Sequence, residues 1–310
     1  MKKQIKRYDI TQCALYKCNS SNKLKRILKI SDEEYENIND YIKYYKFEIN
    51  KKDNSEKREI TAPDVRIKEI QTRILRLTQK ISRPEWLISG EKGKSYIDNG
   101  KKHINSNYFL TIDIKKFYDN CNREYVFRFF KDKMLMAGDL AGVCTDIVTY
   151  NGGIPTGCPT SQLMAYYAYE DMFKEVNRLA CLYGCIFTLY VDDMTISSEK
   201  PFAVSKVKNG VDVILRKYGH KPKYKKVKYY SKGKNVPITG VVITCDHKMT
   251  VPNTQQKKIY DDFQEIKNMK DITCVEDKTE KLASLRGRVQ AARNIEPSKF
   301  PEIKRLTDLL

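Results

Sequence analysis

Ile186-Phe187-Thr188-Leu189-Tyr190-Val191-Asp192-Asp193-Met194-Thr195-Ile196-Ser197 sets two adjacent acids between two runs of β-branched, aromatic and aliphatic residues. The pattern predicts strand, two-residue turn, strand, with Asp192 and Asp193 as the turn. Turns of that length favour Asn-Gly or Asp-Gly, because their central residues often need a positive φ. Side-by-side carboxylates also repel, so a folded hairpin has reason to keep them only if a cation is held there. Upstream, Tyr108-Phe109-Leu110-Thr111-Ile112-Asp113-Ile114 is a short, nearly continuous apolar run, read as a buried strand ending in an acid. If that strand neighbours the hairpin in one sheet, Asp113, Asp192 and Asp193 converge. Such a group suits two Mg²⁺ ions, which prefer carboxylate and phosphate oxygens and can activate a hydroxyl while stabilising departing pyrophosphate.

The rest of the chain bounds what surrounds those acids. Its 310 residues carry 58 Lys+Arg against 39 Asp+Glu, a formal net charge of +19, and 41% of the residues are apolar. That apolar share is enough for a real core, and the length fits about two compact units of roughly 100–200 residues. No stretch approaches the roughly 18 apolar residues of a membrane span, and the basic N-terminus lacks the apolar run of a signal peptide. The expectation is an intracellular, cytoplasmic, globular protein with a polyanionic partner, nucleic acid first and anionic membrane second. A merely soluble lysine-rich surface is the bland alternative. Nine cysteines include no C-x2-C pair, and none of the three histidines lies near a cysteine pair, which argues against a zinc site; Cys181 and Cys185 read as core packing.

The first fifty residues are basic and read as mostly helical, with Ser31 and Glu34 as a capping box and Ile30 stapled to Tyr35. Residues 51–56 read as a polar turn between short strands, and an amphipathic basic helix is predicted from Asp64. A Gly-Gly-Ile-Pro-Thr-Gly loop (residues 152–157) precedes a helix expected from about Thr160 to Leu179, and a further helix runs to about Tyr218. Residues 220–234 hold seven lysines and no acid. A strand is expected over 238–244, and the last sixty residues read as helical and basic.

Taken together, these residues resemble a bacterial retron reverse transcriptase. Tyr190-Val191-Asp192-Asp193 is similar to that family's Tyr-Ala-Asp-Asp signature, and residues 110–118 resemble its preceding catalytic strand. Pro155-Thr156-Gly157-Cys158-Pro159-Thr160-Ser161-Gln162 resembles its Pro-Gln-Gly-x-Pro-Thr-Ser-Pro loop. Arg58-x-Ile60-x-x-Pro63 with Lys68-x-x-Gln71 matches its fingers pattern. Asn99-Gly100-Lys101-Lys102-His103 and Ile238-Thr239-Gly240-Val241-Val242-Ile243 are similar to two elements of the retron enzymes in particular. Val191, Thr156, Gln162 and Gly100 depart from the family pattern; Thr156 replaces a glutamine that supports the template–nucleotide pair.

The resemblance implies an α+β right-hand polymerase fold: a basic helical extension (1–50), fingers (51–107), a palm with an antiparallel sheet (108–245) and a short helical thumb (246–310). It implies that Asp113, Asp192 and Asp193, with the Ile114 carbonyl, hold two Mg²⁺ ions, and that Lys226 protonates pyrophosphate. Arg58 and Lys68 would contact the deoxynucleoside triphosphate, Tyr118 would exclude a ribose 2′-hydroxyl, and Gly157 would let backbone approach the base pair. An ordinary core tyrosine is the other reading of Tyr118. RNA contacts would come from Asn99, His103, Thr239, Gly240, Lys223, Lys225 and Arg286. By its residues alone His103 fits a capped helix end or a satisfied core position, and the lysine block fits a solvated strand edge. The implied function is DNA synthesis on a cognate structured noncoding RNA, primed from an internal guanosine 2′-hydroxyl. The product would be a branched RNA–DNA hybrid (msDNA) serving antiphage defence with a separate effector protein. No room is expected after the thumb for a nuclease domain. The alternatives are another bacterial reverse transcriptase (group II intron, diversity-generating or CRISPR-associated) and a non-catalytic RNA-binding scaffold.

Overall fold

The computed structural model describes residues 6–50, 57–269 and 275–309. Helices α1 (Ser21–Leu28), α2 (Asp32–Glu36) and α3 (Ile38–Tyr41) lead to the paired strands β1 (Tyr44–Asn50) and β2 (Lys57–Pro63), then α4 (Val65–Thr78) and α5 (Tyr96–Lys102). After these come β3 (Tyr108–Asp113), α6 (Arg123–Arg128), α7 (Gly138–Val148), α8 (Ser161–Ala168) and α9 (Glu170–Leu182). The hairpin β4 (Ile186–Tyr190) and β5 (Asp193–Ser198), α10 (Val204–Lys217) and β6 (Lys228–Tyr230) follow. A small sheet of β7 (Val236–Ile238), β8 (Val241–Ile243) and β9 (Met249–Thr250) precedes α11 (Asn253–Asn268), α12 (Val275–Ile295) and α13 (Pro301–Leu309). Helices mixed with antiparallel sheets bear out the expected α+β class.

The central sheet has the order β4-β5-β3-β6, and the two-residue period of a strand divides its side chains between two faces. Leu110, Ile112, Met194, Ile196, Phe187 and Leu189 share one face and enter the main core with Met172, Phe173 and Val176 of α9 and Val207, Val211 and Leu215 of α10. Thr111, Asp113, Thr188, Asp193, Thr195 and Ser197 share the other face. Phe109 of β3 joins a second core, with Val236, Ile238, Val241 and Ile243 of the small sheet and Ile259, Leu285, Val289 and Ile303 of the last three helices. The sheet is therefore apolar on one side and polar, yet partly covered, on the other.

Several local expectations hold. Ser31 and Glu34 form the capping box, and the Asp64 carboxylate accepts the Ile67 N–H at 2.8 Å to start α4. Others need correction. Residues 44–50 form the strand expected before the 51–56 turn, so the helical reading of the first fifty residues stops at Tyr41. The turn placed at 51–56 lies outside the described residues. The helix expected over 160–179 is two, α8 and α9, broken at buried Tyr169, whose hydroxyl accepts from the Asn122 N–H and donates to the Asn120 carbonyl. The single strand expected over 238–244 is the hairpin β7–β8. Thr239 (φ 45°) and Gly240 (φ 99°) make its two-residue turn, where positive φ at both centres matches the twist of the strands. Cys185 is buried as expected, whereas Cys181 lies exposed near the end of α9.

Candidate active site

Backbone pairing, not side-chain attraction, gathers the three acids. Asp113 ends β3 directly opposite Asp193, the first residue of β5, and the Ile114 N–H donates to the Asp192 carbonyl at 3.2 Å. Tyr190 pairs with Asp193, so the two-residue turn is Val191-Asp192, one residue earlier than the sequence pattern placed it. Val191 has φ 61°, a left-handed conformation that a β-branched residue adopts only under constraint. Burial, then the nearby Asp192 and Asp113 charges, push the Asp193 carboxyl up to about 6.

The first counter-charge is a lysine. The Lys226 ammonium donates to the Asp113 carboxylate at 2.7 Å, which raises its own pKa. The segment carrying it is laced onto β3: the Lys223 N–H donates to the Asp113 carbonyl at 2.7 Å, and the Lys115 N–H to the Lys221 carbonyl at 2.9 Å. Among the described residues no three His, Cys, Asp or Glu side chains stand in a ligating arrangement, and Asp113 is turned onto Lys226. The donor set itself fits a hard cation: three carboxylates on adjacent backbone positions, whose mutual repulsion already raises Asp193, beside main-chain carbonyls.

Of the other residues singled out by sequence, Arg58 sits in β2 opposite Ile49, its side chain outside the described structure. Lys68 is exposed on α4. Tyr118 follows β3 in a short turn, half-buried, its ring 5.5 Å from that of Phe117. Gly157 packs on β2, where a Cβ would lie 2.6 Å from the Thr61 carbonyl oxygen and 3.0 Å from the Ala62 Cα. The close approach it permits here is thus to the β2 backbone.

Two of the expected RNA contacts are corrected by burial. His103 has no exposed surface; its Nδ1 lies 2.6 Å from the Ser197 hydroxyl and its Nε2 2.7 Å from that of Thr188. Burial, with a smaller contribution from Lys102, pushes its pKa down to about 3. Asn99 is equally buried, and its amide donates to the Thr239 hydroxyl at 2.8 Å. Both residues bolt α5 between the palm sheet and the β7–β8 turn, facing away from solvent. Thr239 is half-buried, while Gly240, Lys223, Lys225 and Arg286 are exposed.

The sequence reading missed Ser89, whose hydroxyl oxygen accepts the Val191 N–H at 2.7 Å. It missed Glu91 too, buried between the guanidinium groups of Arg7 and Arg83. Nothing local marks either residue, since their partners lie far away in the chain.

Residues 49–243, more than half of the chain, match the family described as reverse transcriptase (RNA-dependent DNA polymerase), and the chain belongs to that family. Within it, the chain is similar to the retron Se72 reverse transcriptase of Salmonella heidelberg, at 30% identity over 159 residues, 51% of this chain and 42% of that protein. It is likewise similar to the retron Ec86 reverse transcriptase of Escherichia coli, at 27% identity over 203 residues, 65% of this chain and 63% of that protein. The chain thus spans roughly half the length of these two curated relatives. In fold it is similar to apo telomerase from Candida tropicalis, truncated from its C-terminal domain (TM-score 0.50, 12% identity, 69% of this chain and 55% of that one). Telomerase from Candida albicans with a telomeric RNA fragment is comparable (TM-score 0.50, 14% identity, 82% and 54%). The right-hand polymerase fold expected from the motifs is the fold observed. Among the described residues no helix is long and apolar enough to cross a membrane.

Proposed function

We propose that this protein is a retron-type reverse transcriptase that builds DNA on a cognate structured noncoding RNA. One observation carries the reading: in a chain of this family, β-sheet register sets Asp113 opposite Asp193 with Asp192 at the adjoining turn. Asp113, Asp192 and Asp193, with the Ile114 carbonyl, would hold two Mg²⁺ ions. When bound, Mg²⁺ supplies Lewis-acid activation of the primer hydroxyl and neutralises charge on the pyrophosphate that leaves.

This chain's own residues do the rest. Lys226 holds a proton on an ammonium already 2.7 Å from Asp113, where a departing pyrophosphate oxygen can receive it. Arg58 and Lys68 bind the triphosphate of the incoming deoxynucleotide, and Tyr118 closes the space a ribose 2′-hydroxyl would need. Gly157 keeps the fingers strand β2 against the palm loop. Exposed Lys223, Lys225 and Arg286, with the Thr239-Gly240 turn, bind the RNA backbone. The β1–β2 pair and α4 act as the fingers, the region from β3 to β8 as the palm, and α11–α13 as the thumb.

Similarity to the retron enzymes extends the reading to priming from an internal guanosine 2′-hydroxyl, a branched msDNA product, a separate effector protein and a cytoplasmic antiphage role. Primer extension on an RNA template with Mg²⁺ tests the core of it. Wild-type protein should incorporate deoxynucleotides, and Asp192→Asn/Asp193→Asn should abolish incorporation. Equal inactivity of both would leave a non-catalytic scaffold. Sequencing the co-purified nucleic acid should show a branched RNA–DNA species, and its absence would sink the retron assignment.

A further inference from the structure

The turn that carries Asp192 is held from outside the palm sheet. Residues 86–91 run alongside β4 as a strap: the Leu189 N–H donates to the Trp86 carbonyl at 2.9 Å, and the Ile88 N–H to the Leu189 carbonyl at 3.0 Å. Leu87 pairs with Leu189 in the parallel sense, so the strap extends the sheet past its β4 edge. One residue further, Ser89 is buried and its hydroxyl oxygen accepts the Val191 N–H at 2.7 Å. Val191 is the residue forced to φ 61°, immediately before Asp192. Hairpin turns give such a position to glycine; a valine there needs an external constraint to stay. Gly90 (φ 70°) then turns the strap toward Glu91, whose buried carboxylate is gripped by Arg7 and by the buried Arg83. Arg83 also donates to the Gln79 carbonyl at 3.1 Å, and the Tyr8 N–H to the Lys80 carbonyl at 3.0 Å, so the N-terminal segment and the end of α4 anchor the strap together.

We propose that Ser89 is a positioning residue for the metal-holding turn, keeping Val191 left-handed and Asp192 in place through its hydroxyl. The strap that carries it is fixed by the Arg7–Glu91–Arg83 clamp. The inference rests on the reading of Asp113, Asp192 and Asp193 as metal ligands, and it concerns how they are held. It explains why a bulky residue is tolerated where glycine is preferred: the bond from outside the hairpin substitutes for backbone freedom.

The test compares full-length wild type, Ser89→Ala, Val191→Gly and the double variant. Amide hydrogen exchange across residues 189–193 is measured without metal, and Mn²⁺ is titrated against the electron paramagnetic resonance signal of the free ion. Loss of the Ser89 acceptor should speed exchange at Val191 and weaken Mn²⁺ binding by about tenfold to a hundredfold, the scale of a left-handed strain at a non-glycine residue that nothing outside the hairpin holds any longer. Val191→Gly, which takes a positive φ unaided, should restore Mn²⁺ affinity in the Ser89→Ala background to within about threefold of wild type. A merely structural loss would not be rescued in this way. If Ser89→Ala does not fold, Glu91→Gln loosens the strap while leaving Ser89 intact, and the same faster exchange is expected. Wild-type exchange and Mn²⁺ affinity in a folded Ser89→Ala protein, or no rescue by Val191→Gly, would overturn the proposal. Mn²⁺ binding indifferent to Asp192→Asn would instead overturn the metal-site reading, while the exchange data separately decide whether Ser89 holds the turn.

Discussion

Acid should loosen this protein through His103 before it disturbs the rest of the structure. Both ring nitrogens of His103 are engaged, by Ser197 and Thr188, and the side chain has no exposed surface. Protonation would place a charge in that site and force one hydroxyl to turn, so burial first, and Lys102 second, press the pKa down from 6.5 to about 3. The unfolded chain takes up its proton near 6.5, so the folded state keeps its full advantage above that pH and loses it as pH falls toward 3. At about 1.36 kcal/mol per pH unit, the loss between pH 7 and pH 5 is about 2 kcal/mol, rising to about 4 kcal/mol by pH 3. Urea unfolding of wild type and His103→Gln at pH 7, 6 and 5 measures it. Glutamine keeps a donor and an acceptor without titrating, so the variant should start less stable at pH 7 and decline less steeply. His220, buried against Phe117 and Tyr169 and pushed down to about 4, is common to both proteins and cancels. Stability curves that stay parallel to within about 0.5 kcal/mol would refute the argument. An RNA-contacting His103 would show the opposite signature, with RNA affinity lost and the acid slope unchanged.

Three further outcomes are expected. Asp193 is ionised at pH 7 against a carboxyl pushed up to about 6, so Asp193→Asn in metal-free buffer should raise stability by about 1–2 kcal/mol after allowance for partial exposure. Urea midpoints should show that gain shrinking as pH falls from 6 through 4, where the wild-type aspartate becomes neutral. Gly157→Ala drives a Cβ to 2.6 Å from the Thr61 carbonyl oxygen, so the fingers strand must shift, and denaturation should report a loss of about 1–3 kcal/mol. Gly100→Ala places a Cβ 2.6 Å from Val241 Cγ2; thermal denaturation should show destabilisation that Val241→Ala relieves, and additive effects would contradict the contact.

The β4–β5 hairpin was legible because two runs of strand-forming residues and a short polar turn are local signals, and the family motifs supplied the order of the acids. The capping box of α2 was legible for the same reason, since Ser31 and Glu34 act within one helical turn, as was the start of α4 at Asp64. What escaped depended on distant partners. Ile238-Thr239-Gly240-Val241 reads as one strand because Ile, Thr and Val all favour strands, yet two consecutive positive φ angles turn it back. Asn99 has the chemistry of a ligand, and only the packing of α5 reveals it as buried, whereas for His103 the satisfied core position that its residues alone allowed is the one the structure shows. The Val191-Asp192 turn was misplaced by one residue because the pairing of Tyr190 with Asp193 is a matter of register, which spacing within the hairpin leaves open.

That register also explains how the fold tolerates three acids at one place. A slip of one residue in β3 or β5 would exchange faces, sending Met194 and Ile196 toward solvent and Asp193 into the apolar core. The buried aliphatic face therefore excludes the odd-residue slips, which would part Asp113 and Asp193 onto opposite faces. On the opposite face the same strand pair is pinned at its far end, where His103, Ser106 and Ser197 form a buried hydrogen-bonded group. Asp193 and Ser197 lie four residues apart on β5, about 13 Å along the strand. The repulsive end of the sheet is thus held by interactions that do not involve its charges. Lys226 offsets part of the repulsion from an exposed position, where a metal ion can take over Asp113 without disturbing the core. The apolar register and the polar contacts at the far end hold the carboxylates against their mutual repulsion, which Lys226 relieves at Asp113.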